Sequence, residues 1–211
     1  MTALSQDSVG GLHVSRETIA SLRSLEAEVR RWTPVVNLVS RGSVDDLWSR
    51  HIEDSAQIFR ACPPGARRWI DLGSGGGFPG LVVAAIAKEL QPDLQVILVE
   101  SDQRKAVFLR QTARKLGLDV TVLAERIESL PAQEADVVSA RALAPLGDLL
   151  ELSARHLKRD GIALFPKGAR HAEEVAEARA SWIFELDSLS SALNPDAALL
   201  ILRKVHRAEL P

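Results

Sequence analysis

The densest chemical signal in the chain is Trp69-Ile-Asp-Leu-Gly-Ser-Gly-Gly-Gly-Phe-Pro-Gly80. An apolar run stops on an acidic residue, and four glycines fall within positions 73–77. Glycine reaches positive φ and leaves no side chain between the backbone and a ligand. Pro79 suits the first turn of a helix, whose free N–H groups would face the glycine turn. Two frames are open. Read from Gly75, the spacing is G-x-G-x-x-G, which seats a pyrophosphate in dinucleotide folds. Read from Asp71, it is D-x-G-x-G-x-G. That frame puts a negative charge beside the turn, which suits an amine or a sulfonium and suits a pyrophosphate poorly. A glycine turn with no ligand would order four glycines without return. The acidic frame is preferred, with Asp71, Gly73, Gly75, Gly77 and Phe78 as candidate contacts.

Further candidates follow at the ends of later apolar runs. Open α/β sheets bind ligands outside the carboxyl ends of their strands. Glu100 ends the run 95–100, where a carboxylate can accept both hydroxyls of a ribose. Ala124-Glu-Arg-Ile-Glu128 follows the third strand, where a backbone N–H or a side chain can meet an adenine, although Glu125 and Glu128 equally suit a solvated surface. In Ser139-Ala-Arg-Ala-Leu-Ala-Pro145, Arg141 leaves an apolar run and is costly there unless it meets an anion. A ligand carboxylate, a nucleic-acid phosphate and an internal acid all satisfy that need. Lys167, in Phe165-Pro-Lys-Gly168, is either a phosphate or base contact or simply exposed.

His51, Asp54 and Ser55 have the side chains of a hydrolytic triad and share one helix face. A nucleophilic serine sits on a strained turn rather than mid-helix, so hydrolysis is rejected. The cluster instead lines a cleft or braces its helix against Asn37 and the glycine loop. Arg104, Lys105, Arg110, Arg114 and Lys115 form either an RNA-facing surface or a solvated helix face.

The elements that must position these groups read as follows. Residues 1–13 are polar and loose. Ser15 caps a helix carrying Ile19, Leu22, Leu25, Val29 and Trp32, which Pro34 ends or kinks. Ser43 with Asp46 forms a capping box for a second helix reaching about Cys62. Pro63-Pro-Gly65 then breaks the chain. Strands over 68–72, 95–100, 120–123, 136–139 and 162–165 alternate with helices over 81–90, 102–116, 145–157 and 171–180. Lys158-Arg-Asp-Gly161 turns into the fifth strand, and two more strands follow over 182–188 and 198–204. This is an α/β pattern, a largely parallel sheet with helices on both faces. Residues 1–64 form a small helical extension on a core spanning 65–211.

The chain has 211 residues, 46% of them apolar, enough for one α/β core. Its net charge of −2 does not mark a nucleic-acid binder. One cysteine, Cys62, excludes a disulfide framework and a cysteine-rich zinc site, and the five histidines form no H-E-x-x-H. No apolar window spans a membrane and no leader precedes the first helix, so a cytoplasmic protein is expected.

The D-x-G-x-G-x-G frame resembles motif I of class I S-adenosylmethionine-dependent methyltransferases, whose sheet is Rossmann-like. More specifically, the chain resembles the bacterial small-subunit (16S) ribosomal RNA guanine-N7 methyltransferase family, also called glucose-inhibited division protein B. The matching pieces include Trp32, Asn37-Leu-Val-Ser40, Arg50-His-Ile-Glu-Asp-Ser55 and the glycine stretch. They continue through Val99-Glu-Ser-Asp-Gln-Arg-Lys105, Phe108-Leu-Arg110, Arg126-Ile-Glu128, Ser139-Ala-Arg-Ala-Leu-Ala-Pro-Leu146 and Lys167-Gly168. The departures are Thr33 and Val39, where relatives often carry Asn and Thr, and Glu100, where many carry Asp.

The resemblance implies S-adenosylmethionine as cofactor, held by Gly73, Phe78, Glu100, Ile127, Glu128 and Arg141. It implies methylation of N7 of one guanine in small-subunit rRNA, with Lys167 and Arg126 as candidate RNA or active-site contacts; His51, Arg104 and Lys105 join them as candidate RNA contacts from their places on the helices. A monomer working on the rRNA or the small subunit is expected, with no membrane and no metal. Guanine N7 carries an in-plane lone pair and no proton, so transfer needs positioning rather than a general base. The rivals are an NAD-dependent oxidoreductase, a methyltransferase with another acceptor, and an RNA-binding assembly factor without catalysis.

Overall fold

Apolar residues on both faces of a strand demand cover on both faces, and this chain supplies it with helices. A computed structural model describes residues 7–190 and 196–208. Seven strands form its main sheet: β3 (Arg68–Leu72), β4 (Gln95–Val99), β5 (Val120–Leu123), β6 (Ala135–Ala140), β7 (Leu157–Lys167), β8 (Trp182–Ser190) and β9 (Ala198–Arg207). Their order is β5-β4-β3-β6-β7-β9-β8. The first five run parallel, while β9 pairs antiparallel with both β7 and β8. The order reverses between β3 and β6, so a crevice opens at their carboxyl ends.

One face packs on α3 (Gly80–Leu90), α4 (Gln103–Leu116) and α1 (Arg16–Val36) through Trp69, Leu98, Leu81 and Phe108. The other packs on α5 (Leu146–Ala154) through Ile70, Val99, Phe165 and Leu149, with α6 (His171–Ala178) beside α5. The side chains of β3 alternate between the two faces accordingly: Trp69 belongs to the first core, Ile70 and Leu72 to the second.

The N-terminal segment shares the first core. Ser15 caps α1 by accepting from the Thr18 backbone N–H, and Leu22, Leu25 and Val29 are fully buried. Lys115 of α4 meets Glu28 of α1 at 2.6 Å, and Thr18 donates to Glu89 of α3 at 2.6 Å.

Several expectations are corrected. Residues 1–6 lie outside the described residues, but Asp7–Val9 (β1) and Leu12–Val14 (β2) pair as a hairpin rather than a loose arm. Glycines at 10 and 11 supply the positive φ that its turn requires. Pro34 does not end α1. The helix runs to Val36 and stops at Asn37, which takes a left-handed φ of 53° and donates its N–H to Thr33. Ser43 caps no helix: it closes a 3-10 turn, and its hydroxyl oxygen accepts from the Ser40 hydroxyl at 3.0 Å rather than from a helix N–H. A 3-10 turn (Arg41–Ser43) comes first, then a π-helical stretch (Trp48–Glu53) that leads into α2 (Asp54–Phe59). Residues 158–161 lie within β7 rather than before it. Leu157 pairs with Ala135 and Ile162 with Val137, so the extra residues bulge, and Lys158 meets Asp136 at 2.5 Å.

Candidate active site

Beneath the glycine loop is a carboxylate that the loop hides. Asp71 has no exposed surface. Its Oδ1 accepts from the Ser139 hydroxyl at 2.7 Å, and its Oδ2 accepts from the Gly80 N–H at 3.2 Å. Ser139 in turn accepts from the Trp69 indole N–H at 2.8 Å. Burial pushes the Asp71 carboxyl up to about 6, against the hydrogen bonds of Ser139, Ser74 and Gly80 and the charge of Arg141. Asp71 is therefore not a cleft contact, and the charge argument built on it is corrected. It ties β3, β6 and the start of α3 together. Gly80 permits this closeness: a Cβ there would lie 2.8 Å from Asp71 Oδ2 and would run into Leu98.

Glu100 brings the charge to the loop instead. It follows β4, and its two oxygens accept from the Gly75 and Asp102 N–H groups, each at 2.8 Å. Each carboxylate oxygen keeps a further lone pair, free to accept a ligand hydroxyl. Ser74 adds a backbone bond to Val99 at 2.9 Å. Gly73 and Gly75 hold φ of 68° and 52°, and both line the cleft. Gly77 does not. It packs at the root of α3, where a Cβ would meet Leu81. Gly76 takes its place on the wall, 3.1 Å from the Leu38 carbonyl by the same measure.

The cleft so formed has a volume of about 520 Å³, within the usual range for a small-molecule site. Its far wall is the turn after β5, where Arg126, Ile127 and Glu128 all line it. Arg155 holds this turn from behind, donating to the Glu128 and Leu130 carbonyls at 2.8 Å each. Lys105 reaches the rim from α4. Arg104, one position earlier, is mostly exposed and lies 3.7 Å from Asp102, outside the cleft.

Arg141 closes the other side. Its Nη2 donates to the Arg50 carbonyl at 3.0 Å and lies 2.6 Å from His51 Nδ1. Burial draws its pKa down, and the charges of Asp54 and Asp71 oppose that. His51 stacks on Phe78 with centroids 5.0 Å apart. Burial, then Arg141, then Arg50 push His51 down to about 4, so it is neutral at pH 7. The sequence grouped His51 with Asp54 and Ser55 on one face, but Ser55 is fully buried, and only His51 lines this cleft.

A second concavity of about 500 Å³ adjoins the first across Arg141, Ala142 and Leu143. Lys167 lines it, but not as an open RNA contact, which corrects that expectation. Its ammonium donates to the Ala144 carbonyl and to Glu174, both at 2.7 Å, and its side chain is 9% exposed. Glu174 also accepts from the Leu146 N–H at 2.8 Å. Burial raises the Glu174 carboxyl, but the Lys167 hydrogen bond and charge, the Leu146 N–H and the Arg170 charge together hold the group below its ordinary range. Lys167 thus fixes the loop that carries Arg141.

The sequence reading missed Leu38, Val39 and Ser40 as cleft residues, together with Gly76 and Leu143. The only signal for the first three was their place in the Asn37–Ser40 motif. The residues present fit S-adenosylmethionine: side-chain-free backbone at Gly73 and Gly75, a carboxylate at Glu100, an apolar face at Val99 and Ile127, and a cation at Arg141.

Comparison with known proteins agrees. Residues 18–196 match the family model described as GidB, rRNA small subunit methyltransferase G. The chain is 53% identical over 192 residues to Ribosomal RNA small subunit methyltransferase G of Cereibacter sphaeroides (strain ATCC 17029), covering 91% of this chain and 93% of that one. It is 50% identical over 196 residues to the protein of the same name from Ruegeria sp. (strain TM1040), covering 93% and 95%. Among solved structures, M. jannaschii TYW2 in complex with AdoMet superposes with a TM-score of 0.57 at 15% identity, covering 77% of this chain and 78% of that one. The T. thermophilus 16S rRNA N2 methyltransferase RsmC, bound to AdoMet and guanosine, gives 0.52 at 17% identity, covering 74% and 40%. These two likenesses show the class I methyltransferase fold. The family match and the curated relatives show more: the chain belongs to the GidB family, the rRNA small subunit methyltransferases G.

Proposed function

We propose that this chain transfers the methyl group of S-adenosylmethionine to N7 of a guanine in 16S rRNA, with the small ribosomal subunit or its RNA as partner. The observation that carries the reading is the cleft itself. Glycine loop, Glu100 carboxylate, Ile127 turn and Arg141 converge there from four strand ends, in a member of an rRNA methyltransferase family. S-adenosylmethionine supplies an electrophilic methyl on a sulfonium.

The chain's own residues bind and orient. In this reading Gly73 and Gly75 admit the cofactor close to the backbone, Glu100 accepts its ribose hydroxyls, and Ile127 and Glu128 flank its adenine. Phe78, backed by His51, walls the reacting end. Arg141 offers donors to an oxygen acceptor there, and Lys105 and Arg126 on the rim meet RNA phosphates. Lys167 positions the Arg141 loop. Guanine N7 has a lone pair in the ring plane and no proton to lose, so the protein's task is in-line placement and electrostatic support. Structured RNA buries that edge in a deep groove, so the target is a loop base or one that can be exposed.

Action as a monomer is part of this proposal. No described helix is long and apolar enough to cross a membrane, and a cytoplasmic site of action is proposed with it. Residues 1–64 are proposed as an extension and 65–211 as the catalytic core, divided at Pro63-Pro64-Gly65.

The test is incubation with methyl-labelled S-adenosylmethionine and small subunits from cells lacking this gene, then mapping of the label. Label at N7 of a single guanine is expected. No label in subunits or extracted RNA, from protein that binds S-adenosylhomocysteine, would sink the rRNA assignment and keep the cofactor site.

A further inference from the structure

The π-helical stretch Trp48–Glu53 lies outside the sheet, yet two of its groups converge on Arg141. The Arg50 carbonyl accepts from Nη2 at 3.0 Å, and His51 Nδ1 stands 2.6 Å from the same nitrogen. A guanidinium has five N–H donors and no acceptor, and it stays protonated in proteins. At that distance His51 Nδ1 must therefore be the acceptor, which places the ring proton on Nε2. Stacking on Phe78 fixes the plane of the ring. π-helical turns are short and concentrate at functional sites, and this one aims a backbone carbonyl and an imidazole nitrogen at one donor. Arg141 Nη1, on the other arm of the fork, is buried with no hydrogen-bond partner, as is His51 Nε2. A buried donor without an acceptor is costly, and Arg141 borders both concavities.

We infer that His51 is a positioning residue. Its Nδ1, with the Arg50 carbonyl, pins one arm of the Arg141 fork so that Nη1 is held for an oxygen acceptor brought in by a ligand. The N-terminal segment is then part of the active site rather than a cover for the core. The acceptor has two possible sources, the cofactor carboxylate or O6 of the target guanine, which lies beside N7 on the same base edge. This inference rests on the reading of Arg141 as a cleft residue.

Two substitutions separate positioning from packing. His51→Phe keeps a ring against Phe78 and removes the acceptor. His51→Asn removes the ring and keeps an oxygen near the position of Nδ1. Positioning predicts that transfer falls roughly tenfold to a hundredfold in His51→Phe and is largely retained in His51→Asn. Packing predicts the reverse order, and that order, or equal losses, overturns the inference. A raised Kd for S-adenosylhomocysteine in His51→Phe assigns the acceptor to the cofactor carboxylate. An unchanged Kd with a lowered kcat assigns it to the base. Nitrogen-15 NMR of histidine-labelled protein, with the His51 signals identified by their loss in His51→Asn, should find Nε2 protonated and Nδ1 bare at pH 7. A proton on Nδ1 overturns the inference without any activity measurement. Arg141→Ala keeps the two failures apart. If it leaves transfer unchanged, the reading of the cleft fails. If it is damaging while His51→Phe is not, only the positioning role fails.

Discussion

The two walls of the cleft are held in different ways. The glycine-loop wall is braced by the strands that carry it. Asp71 on β3 holds Gly80 and Ser139, and Glu100, one residue beyond β4, holds Gly75. The Arg141 wall is held by residues distant in sequence: Arg50 and His51 from one side, Lys167 and Glu174 from the other. Ala142, in the middle of that loop, sits at a φ of 52°, which a non-glycine residue adopts only when its surroundings enforce it. The first wall is thus built into the sheet and rigid by burial. The second is assembled from outside, and it can be loosened without unfolding the sheet.

The sharpest test of that contrast is the pH response of the buried carboxylate. The folded-state pKa of Asp71, about 6, lies above its ordinary value of 3.8. The folded state therefore binds this proton more tightly than the unfolded chain does. Its contribution to stability is greatest below about 4 and is lost as pH rises through 6. Relative to Asp71→Asn, the parent protein should gain about 2 kcal/mol between pH 7 and pH 4. Other carboxylates titrate over the same range, so the difference between the two proteins in denaturant midpoints at each pH is the quantity to measure. A flat difference would mean that Asp71 is not buried as an ion.

Next in size is Gly80→Ala. The added methyl meets Leu98 and the Asp71 carboxylate, and should cost about 2 kcal/mol of stability. Cofactor affinity should fall with it, because the same contact anchors the loop. Thermal unfolding with and without S-adenosylhomocysteine measures both, and a loss of affinity without a loss of stability would break the link between them.

Lys167→Met tests the other wall. It removes the bonds to Ala144 and Glu174 and should lower kcat about tenfold, equivalent to about 1.4 kcal/mol, with little change in melting temperature. A large stability loss would show that this wall, too, belongs to the core.

The smallest effect is expected behind the Ile127 turn. Arg155→Ala frees the Glu128 and Leu130 carbonyls and should raise the Kd for S-adenosylhomocysteine about threefold, near 0.7 kcal/mol, with kcat unchanged at saturation. Titration calorimetry decides it.

Local sequence was enough to locate the glycine loop, Glu100, the Ile127 turn and Arg141. Each sits where an apolar run ends, and a parallel sheet brings such ends to one edge. Periodicity likewise marked the strands and the helices that follow them. What local pattern did not reveal was where side chains go once elements pack. Asp71 looked like a ligand contact because its position along the chain is right, but its side chain points under the loop toward Gly80. Lys167 read as a phosphate or base contact or as an exposed residue, and only the approach of α6 turned it into an internal ion pair. The capping box at Ser43 failed because that residue sits in a 3-10 turn, where its hydroxyl oxygen accepts from the nearer Ser40 hydroxyl. The antiparallel edge formed by β8 and β9 depends on pairing partners far apart in the chain, which no window of sequence contains. His51 shows the division most clearly. The sequence placed it on a helix with Asp54 and Ser55, but only tertiary packing set its ring against Phe78 and its Nδ1 against Arg141. Residue type and spacing determined which groups stand at the ends of the strands. Burial and contacts across the fold decided which of those groups face the cleft and which brace the ones that do.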